Sequence, residues 1–258
     1  MGLTFEADPE SHRPPLLLVH GLLSSRRHWL PNRALSETFR LIRVDLPAHG
    51  ASRPPSRSED ARPEALARAL DAVRETLGIA RWYLCGQSFG AGLSLRYALD
   101  FPDRCIAHAF TNGNAALRAA WPDKARSENE ELCSRIATQG HTAIRDLPYH
   151  PAHARRFPSE IHAMLSADAD TVDPEGFALL IKEAIPRLSA RERLSELQVP
   201  TLLVNGLLER RFQPARAWLA AAHPGVEIVD LQGGHSINIE CPEAFNAALR
   251  RFFKRYRR

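Results

Sequence analysis

Hydrophobic and polar positions alternate between two rhythms along the chain. Short unbroken apolar runs recur, as in Leu16-Leu17-Leu18-Val19, Trp82-Tyr83-Leu84-Cys85 and Thr201-Leu202-Leu203-Val204. Runs of this length predict strands buried on both faces. Phe39 to Asp45, Cys105 to Phe110 and Val226 to Leu231 predict three more. Between them the spacing changes. Leu66, Leu70, Val73 and Leu77 stand three or four apart, one face of a helix that Gly78 ends. Leu93 to Leu99 predicts a second helix, stopped before Phe101-Pro102. Pro242 to Tyr256 predicts a closing helix with Phe245, Leu249, Phe252 and Phe253 on its apolar face.

Strands alternating with helices predict an α/β fold, a mostly parallel sheet with helices on both faces. One stretch breaks the rhythm. From Asn114 to Glu196 the segments are helix-like, interrupted by prolines, with no strand pattern. This predicts a core formed by residues 1–113 and 197–258, with residues 114–196 inserted between strands as a helical cap.

Composition narrows the class. At 258 residues, with 44% hydrophobic and 25% charged, the chain is not collagen-like, coiled-coil or disordered. A chain of this size buries roughly three quarters of its unfolded surface, enough for a core and a pocket. The net charge of +4 is local: Arg250, Arg251, Lys254, Arg255, Arg257 and Arg258 crowd the end, and without them the balance is −2. Basic residues suit a helix C-terminus, so this reads as a solvated helix end, and no nucleic-acid partner is expected. Cys85, Cys105, Cys133 and Cys241 show no CxxC spacing, which speaks against a zinc ribbon or a thioredoxin-like site. No basic start followed by an apolar core opens the chain, and no apolar run is long enough to span a membrane. Free thiols and a cytoplasmic setting are the expectation.

The strongest chemical signal is Gly86-Gln87-Ser88-Phe89-Gly90, set between a strand pattern and a helical one. That context suits a nucleophile elbow, a tight turn that exposes a serine hydroxyl. A serine needs a general base, and the base needs an orienting acid. Of eleven histidines, His235 in Gly233-Gly234-His235 follows the last strand, on the sheet edge where the elbow also lies. Glu209 follows the fifth strand, so the order Ser88, Glu209, His235 is nucleophile, acid, base. The other acid slot reads Thr111-Asn112-Gly113-Asn114, without a carboxylate. A surface salt bridge with Arg210 or Arg211 is the alternative role for Glu209. The backbone amides of Phe89 and Leu22 are the candidate oxyanion donors, the second presented by the His20-Gly21-Leu22-Leu23 loop.

LLLVHG (16–21), VDLPAHGAS (44–52), GQSFG (86–90), PTLLVNGLLE (200–209) and GGHSINIECPEAF (233–245) run in one order along the chain. On these pieces the chain resembles the capped serine hydrolases of the α/β-hydrolase superfamily. It is similar to small carboxylesterases, meta-cleavage-product hydrolases and the menaquinone-pathway synthase that eliminates pyruvate. The resemblance implies that His20 and His49 shape loops rather than do chemistry. It covers nearly all of the chain outside the insertion. The short N-terminus leaves little room for the first strands usual in that family. Two positions depart from the pattern: the acid is Glu209 where aspartate is commoner, and Gly92 stands where the synthase has arginine, which weakens the synthase reading.

No metal or cofactor is expected. His150-Pro151-Ala152-His153 lacks a nearby third ligand, and neither GxGxxG nor GxxxxGK[ST] occurs. Arg145 to Arg156 collects His150, His153, Arg155 and Arg156, read as a solvated face with an anion-greeting role as the alternative. The cap should roof the pocket with some of Trp121, Leu132, Ile136, Leu147, Tyr149, Phe157, Ile161, Met164, Leu165, Phe177, Leu179 and Leu180. Their spacing does not separate pocket wall from cap core. The expected activity is hydrolysis of a carboxylic ester, thioester or lactone of a small molecule through an acyl-enzyme. The alternatives are cleavage or elimination of a C–C bond on the same triad, and a ligand-binding sensor without turnover. Monomer and homodimer both remain open.

Overall fold

A computed structural model describes residues 2–256. Among them seven strands form one sheet: β1 (Phe5–Ala7), β2 (Pro15–Val19), β3 (Arg40–Val44), β4 (Trp82–Gly86), β5 (Cys105–Phe110), β6 (Thr201–Gly206) and β7 (Glu227–Leu231). Their order is β1-β3-β2-β4-β5-β6-β7. All neighbours are parallel except β1, which runs antiparallel to β3 with Phe5 opposite Val44. The chain steps from β2 to β3 on one side and then crosses back to β4 on the other. Loops leaving β2 and β4 therefore diverge, and the crevice at such a switch point is where open α/β sheets hold ligands.

Six strands fall where the apolar runs predict them. β1 does not: it is a three-residue edge strand with alternating partial burial, too short to show a period.

Helices α1 (Pro63–Thr76) and α2 (Phe89–Asp100) precede β5. Between β5 and β6 come α3 (Asp123–Gln139), α4 (His141–Arg145), α5 (Ser159–Ala169) and α6 (Pro174–Leu179). After β6 come α7 (Gln213–Ala222), α8 (Ile237–Glu240) and α9 (Pro242–Lys254). Strand alternation divides the core. Leu17, Val19, Ile42 and Leu84 face Leu66, Leu70 and Val73 of α1 and Leu93 of α2. Leu16, Leu18, Tyr83 and Cys85 face the opposite layer, where α9 lays down Phe245, Leu249, Phe252 and Phe253. Each such side chain stabilises the fold by about 1.5–3 kcal/mol on burial. Pro63 opens α1, and Gly78, with φ +63, follows its end in the conformation that glycine adopts without penalty.

α2 starts at Phe89, four residues before the apolar spacing announces it. Its first turns are buried all round, so no stripe marks them. Gly90 is needed there: a Cβ would strike the carbonyl oxygens of Val19 and His20. The helix thereby seats directly on the end of β2. Between β5 and β6 the regular elements among the described residues are all helical. Ile136, Ile144, Leu147, Val172 and Phe177 make a separate apolar cluster there, resting on Leu23. A π-helical turn, Leu180–Ala184, follows α6. No helix among the described residues is long and apolar enough to cross a membrane.

Candidate active site

At the end of β4 the backbone turns sharply. Ser88 has φ +55 and ψ −112, a region that costs a non-glycine residue about 1–3 kcal/mol. The turn is pinned on both sides. The Gln87 amide donates to the Val19 carbonyl at 3.0 Å, and the Thr111 amide donates to the Gly86 carbonyl at 3.0 Å. Ser88 caps α2, and Phe89 opens it, so the Phe89 amide is among those a helix leaves without an intrahelical acceptor.

The loop after β2 presses against this turn. A Cβ on Gly21 would strike Gln87 Oε1 and come within 3.0 Å of the Ser88 Cβ. Leu22, next along, reaches the same cavity as Ser88. Leu23 holds φ +53, and its amide donates to His49 Nε2 at 3.0 Å. The other ring nitrogen of His49 lies 2.8 Å from the Pro47 carbonyl. His20 Nε2 receives the Leu46 amide at 2.9 Å, and its Nδ1 meets the Gly21 carbonyl at 2.6 Å. Each ring must therefore donate from Nδ1 and accept at Nε2, which only a neutral imidazole does. Burial pushes His49 down to about 4 and His20 well below the usual histidine value, with His49 adding to the second. The loop-shaping role that resemblance suggests for both rings agrees with these contacts. His28 is buried beside them, also pushed down to about 4 by burial, between Ser24 Oγ at 3.1 Å and Asn238 Oδ1 at 3.3 Å.

The loops after β6 and β7 meet backbone to backbone. A Cβ on Gly206 would strike the Gly234 carbonyl, and the Leu208 amide donates to the Gly233 carbonyl at 2.9 Å. This contact sets Glu209 against His235, with Glu209 Oε2 2.9 Å from His235 Nδ1. The glutamate side chain is 14% exposed and the imidazole 40%. Asn114 Nδ2 donates to the other carboxylate oxygen at 3.0 Å. Burial by itself raises the Glu209 pKa. The hydrogen bond and charge of His235, with help from Asn112 and Asn114, outweigh it, and the carboxyl sits below its ordinary range. The structure thus turns Glu209 towards His235 and Asn114.

Ser88, Phe89, Leu22, Glu209 and His235 all line one cavity of about 970 Å³. Its far wall comes from the stretch between β5 and β6, including Leu132, Tyr149, Phe157 and Leu165. Ile136, Leu147 and Phe177 instead belong to the inner cluster of that stretch, and Leu180 packs under the sheet-side core. Residues legible as apolar in sequence are sorted only by this packing. At position 92 a Cβ would come within 2.5 Å of Leu188 Cγ, so a larger residue where the synthase carries arginine would require Leu188 to move.

His150 and His153 both have other partners: His150 Nδ1 accepts from the Ala152 amide at 3.2 Å, and His153 Nε2 meets the Arg145 carbonyl at 2.9 Å. No group of three or more potential metal ligands is assembled among the described residues. Of the basic end, Arg250 pairs with Glu37 at 3.0 Å and Arg255 pairs with Glu227. Arg257 and Arg258 lie outside the described residues. Three cavity residues escape sequence reasoning. Asn114 shows there only as a missing carboxylate, Glu240 only inside the stretch GGHSINIECPEAF, and Arg118 as one arginine among many. Glu240 accepts the Gly234 amide at 2.7 Å and so holds the histidine loop.

Residues 14–242 match the family described as the alpha/beta hydrolase fold. RutD of Klebsiella pneumoniae, provisionally named a carbamate hydrolase, is 28% identical over 97% of this chain and 95% of its own. The carboxylesterase YbfK of Bacillus subtilis is 27% identical over 90% of this chain and 78% of its own. The crystal structure of the enol-lactonase from Burkholderia xenovorans LB400 superposes with a TM-score of 0.83. It is 26% identical and covers 98% of this chain and 96% of its own.

Proposed function

This chain belongs to the α/β-hydrolase family and is a hydrolase, and from that premise we propose an acyl-transfer mechanism on a carboxylic ester or lactone. The observation that carries it is the 2.9 Å contact between Glu209 Oε2 and His235 Nδ1, on the cavity that strained Ser88 lines. With Nδ1 committed to the carboxylate, His235 Nε2 is the nitrogen that takes the Ser88 proton. Ser88 Oγ attacks the carbonyl carbon, and the developing oxyanion lies between the Phe89 and Leu22 amides. The imidazolium returns its proton to the departing alkoxide as the tetrahedral intermediate collapses. A water, deprotonated by His235, then attacks the acyl-Ser88 ester and releases the acid. Glu209 stays ionised throughout and holds the ring in the tautomer with Nδ1–H.

Residues 1–113 and 197–258 supply this machinery, and 114–196 act as a lid that shapes the substrate. The separate apolar cluster of the inserted helices supports that division. The two ends of the insertion pack lower, with Ala116, Leu117, Ala190 and Leu194 joined to Phe110 and Leu203 of the sheet. The C–C reading has no observation in its favour here, and Gly92 stands where the synthase carries its anion-binding arginine.

The test is labelling with a fluorophosphonate, followed by turnover of p-nitrophenyl esters of graded length. Labelling lost in Ser88→Ala, together with ester turnover, supports the proposal. Labelling of Ser88 without turnover of any ester or lactone overturns it in favour of a C–C substrate or a sensor.

A further inference from the structure

The loop that leaves β5 carries a cation with no counter-charge. Arg118 lines the cavity close to Asn114 and Ala115. Its Nη1 is shut from solvent with no hydrogen-bond partner, and among the described residues no carboxylate lies within ion-pair distance of it. Buried Arg43 meets Asp8 at 2.9 Å, buried Arg74 meets Asp71 at 2.8 Å and half-buried Arg193 meets Asp100 at 2.7 Å. An unpaired, partly desolvated guanidinium is costly, and burial lowers its pKa.

Arg118 is nevertheless held in place. Its guanidinium carbon sits 3.8 Å from the centre of the Trp121 ring, an arrangement that fixes the plane of the fork. Its carbonyl accepts from Ser189 Oγ at 2.7 Å, and Arg191 Nη1 donates to the preceding carbonyl, of Leu117, at 3.2 Å. A rigid side chain retained in an uncompensated state points to a partner that arrives from outside. The other arginines on this cavity are different. Arg155 and Arg211 are exposed, and Arg156 already approaches Glu240 at 3.9 Å. His150, the other cavity residue with an orphaned buried nitrogen, faces Asp170 at 3.6 Å.

We propose that Arg118 anchors a carboxylate of the substrate, so that the ester or lactone cleaved at Ser88 is a monoanion. This rests on the acyl-transfer reading above and adds the substrate class. The planar fork matches a carboxylate with two parallel N–H···O bonds, and partial desolvation strengthens the pair relative to one in water. The stacked ring holds the fork ready, so little order is lost on binding.

The experiment compares two aryl esters of equal length, p-nitrophenyl hydrogen adipate and p-nitrophenyl hexanoate. The wild-type kcat/KM should favour the anionic ester at least tenfold. Arg118→Met should cut that ratio by roughly 10- to 100-fold, through KM, the size expected for losing a charged hydrogen-bonded pair. Arg118→Lys should recover part of it, since it restores the charge without the fork. Adipate itself should inhibit wild type competitively and inhibit Arg118→Met at least tenfold more weakly. Melting temperature and fluorophosphonate labelling show that the variants are folded. Equal turnover of both esters by wild type, without inhibition by adipate, overturns the proposal even if Arg118→Met does not fold. So does a loss of selectivity in Arg211→Gln as large as in Arg118→Met, which would signify a diffuse field at the mouth. Failure of Ser88 to label defeats the acyl-transfer reading instead, and the two failures are thereby told apart.

Discussion

On the sheet side of the cavity, the loop histidines and the acid beside His235 have all their polar atoms paired. The His20 and His49 rings each use both nitrogens on backbone, Glu209 uses both oxygens, and Gln87 Nε2 reaches the His235 carbonyl at 3.4 Å. On the cap side, Arg118 Nη1 and His150 Nε2 are buried without a hydrogen-bond partner, and Tyr149 is 44% exposed. Glycines 90 and 206 bring the sheet side together backbone against backbone, and Gly21 leaves room for the Gln87 side chain. The cap side meets the cavity through side chains. The contrast separates two tasks. Groups that must be held to within about half an ångström sit where backbone contacts fix them. Groups that choose the substrate sit where a side chain can change without moving the rest.

The sharpest way to break this division is at its centre. Ser88→Ala should lower kcat by roughly 10⁴–10⁶ while the melting temperature stays at or above that of wild type. The strained φ is kept by the surrounding contacts, and alanine asks no more of it than serine. Activity within tenfold of wild type, measured on any ester that the native chain hydrolyses, would remove Ser88 as the nucleophile.

Glu209→Gln comes next. It keeps the volume and the Asn114 neighbour but removes the charge that stabilises the imidazolium and the acceptor that fixes the tautomer. A fall in kcat of roughly 10²–10⁴ is expected, less than at Ser88. Glu209→Asp draws the carboxylate back by about 1.5 Å, the length of one C–C bond, and should be milder yet impaired. Steady-state kinetics on one ester rank the three variants. An aspartate variant faster than wild type would mean the loop accommodates the commoner acid and the extra methylene has no function.

How much of this was readable in advance follows the same line. Ser88, Glu209 and His235, which the structure brings to one cavity, stood out in the sequence because each follows a strand end, and strand ends are marked by apolar runs. The sheet and its inserted helices were legible for that reason too. The start of α2 was hidden because Gly90, Ala91 and Gly92 are buried all round and show no period. β1 was hidden because three residues cannot show one. Arg118 was illegible for a different reason. Its significance is the absence of a partner, and a sequence does not say which arginines have one. The fate of cap residues was equally closed, since pocket wall and cap core use the same apolar residues.

Acid should loosen the sheet side selectively. His28 and His49 are held near 4 in the folded chain against 6.5 when unfolded, and His108, under α2, near 3. Between those limits the unfolded chain binds protons that the folded chain refuses. Stability is therefore complete above pH 6.5 and falls as the pH drops towards 4. Each ring of the first pair contributes on the order of 3 kcal/mol to that loss. His49→Gln can still accept the Leu23 amide but cannot be protonated. Urea unfolding across pH 4–7 should show a shallower decline for this variant by about one proton's slope. An unchanged slope would mean that His49 is not buried neutral, and the account of the loop that presents Leu22 would fail with it.

The smallest effect is expected on the cap side. Phe157 is half-buried on the cavity wall and is assigned no part in acyl transfer. Phe157→Ala enlarges the pocket without removing a polar contact of the sheet side. Discrimination by an apolar wall is worth roughly 1–3 kcal/mol per group, so kcat/KM for the preferred ester should change by about tenfold. The preferred acyl length in a graded series of p-nitrophenyl esters should move to longer chains, because the vacated volume accepts more methylenes. The rate of labelling by a small fluorophosphonate depends on Ser88, His235 and the oxyanion amides, and should fall far less than in Glu209→Gln. The comparison is thus drawn on one reagent and two variants, one from each side of the cavity. Equal losses of labelling would mean that the cap wall also orients the reacting groups, because a shift of even about 1 Å at the serine is enough to cost a factor near 10².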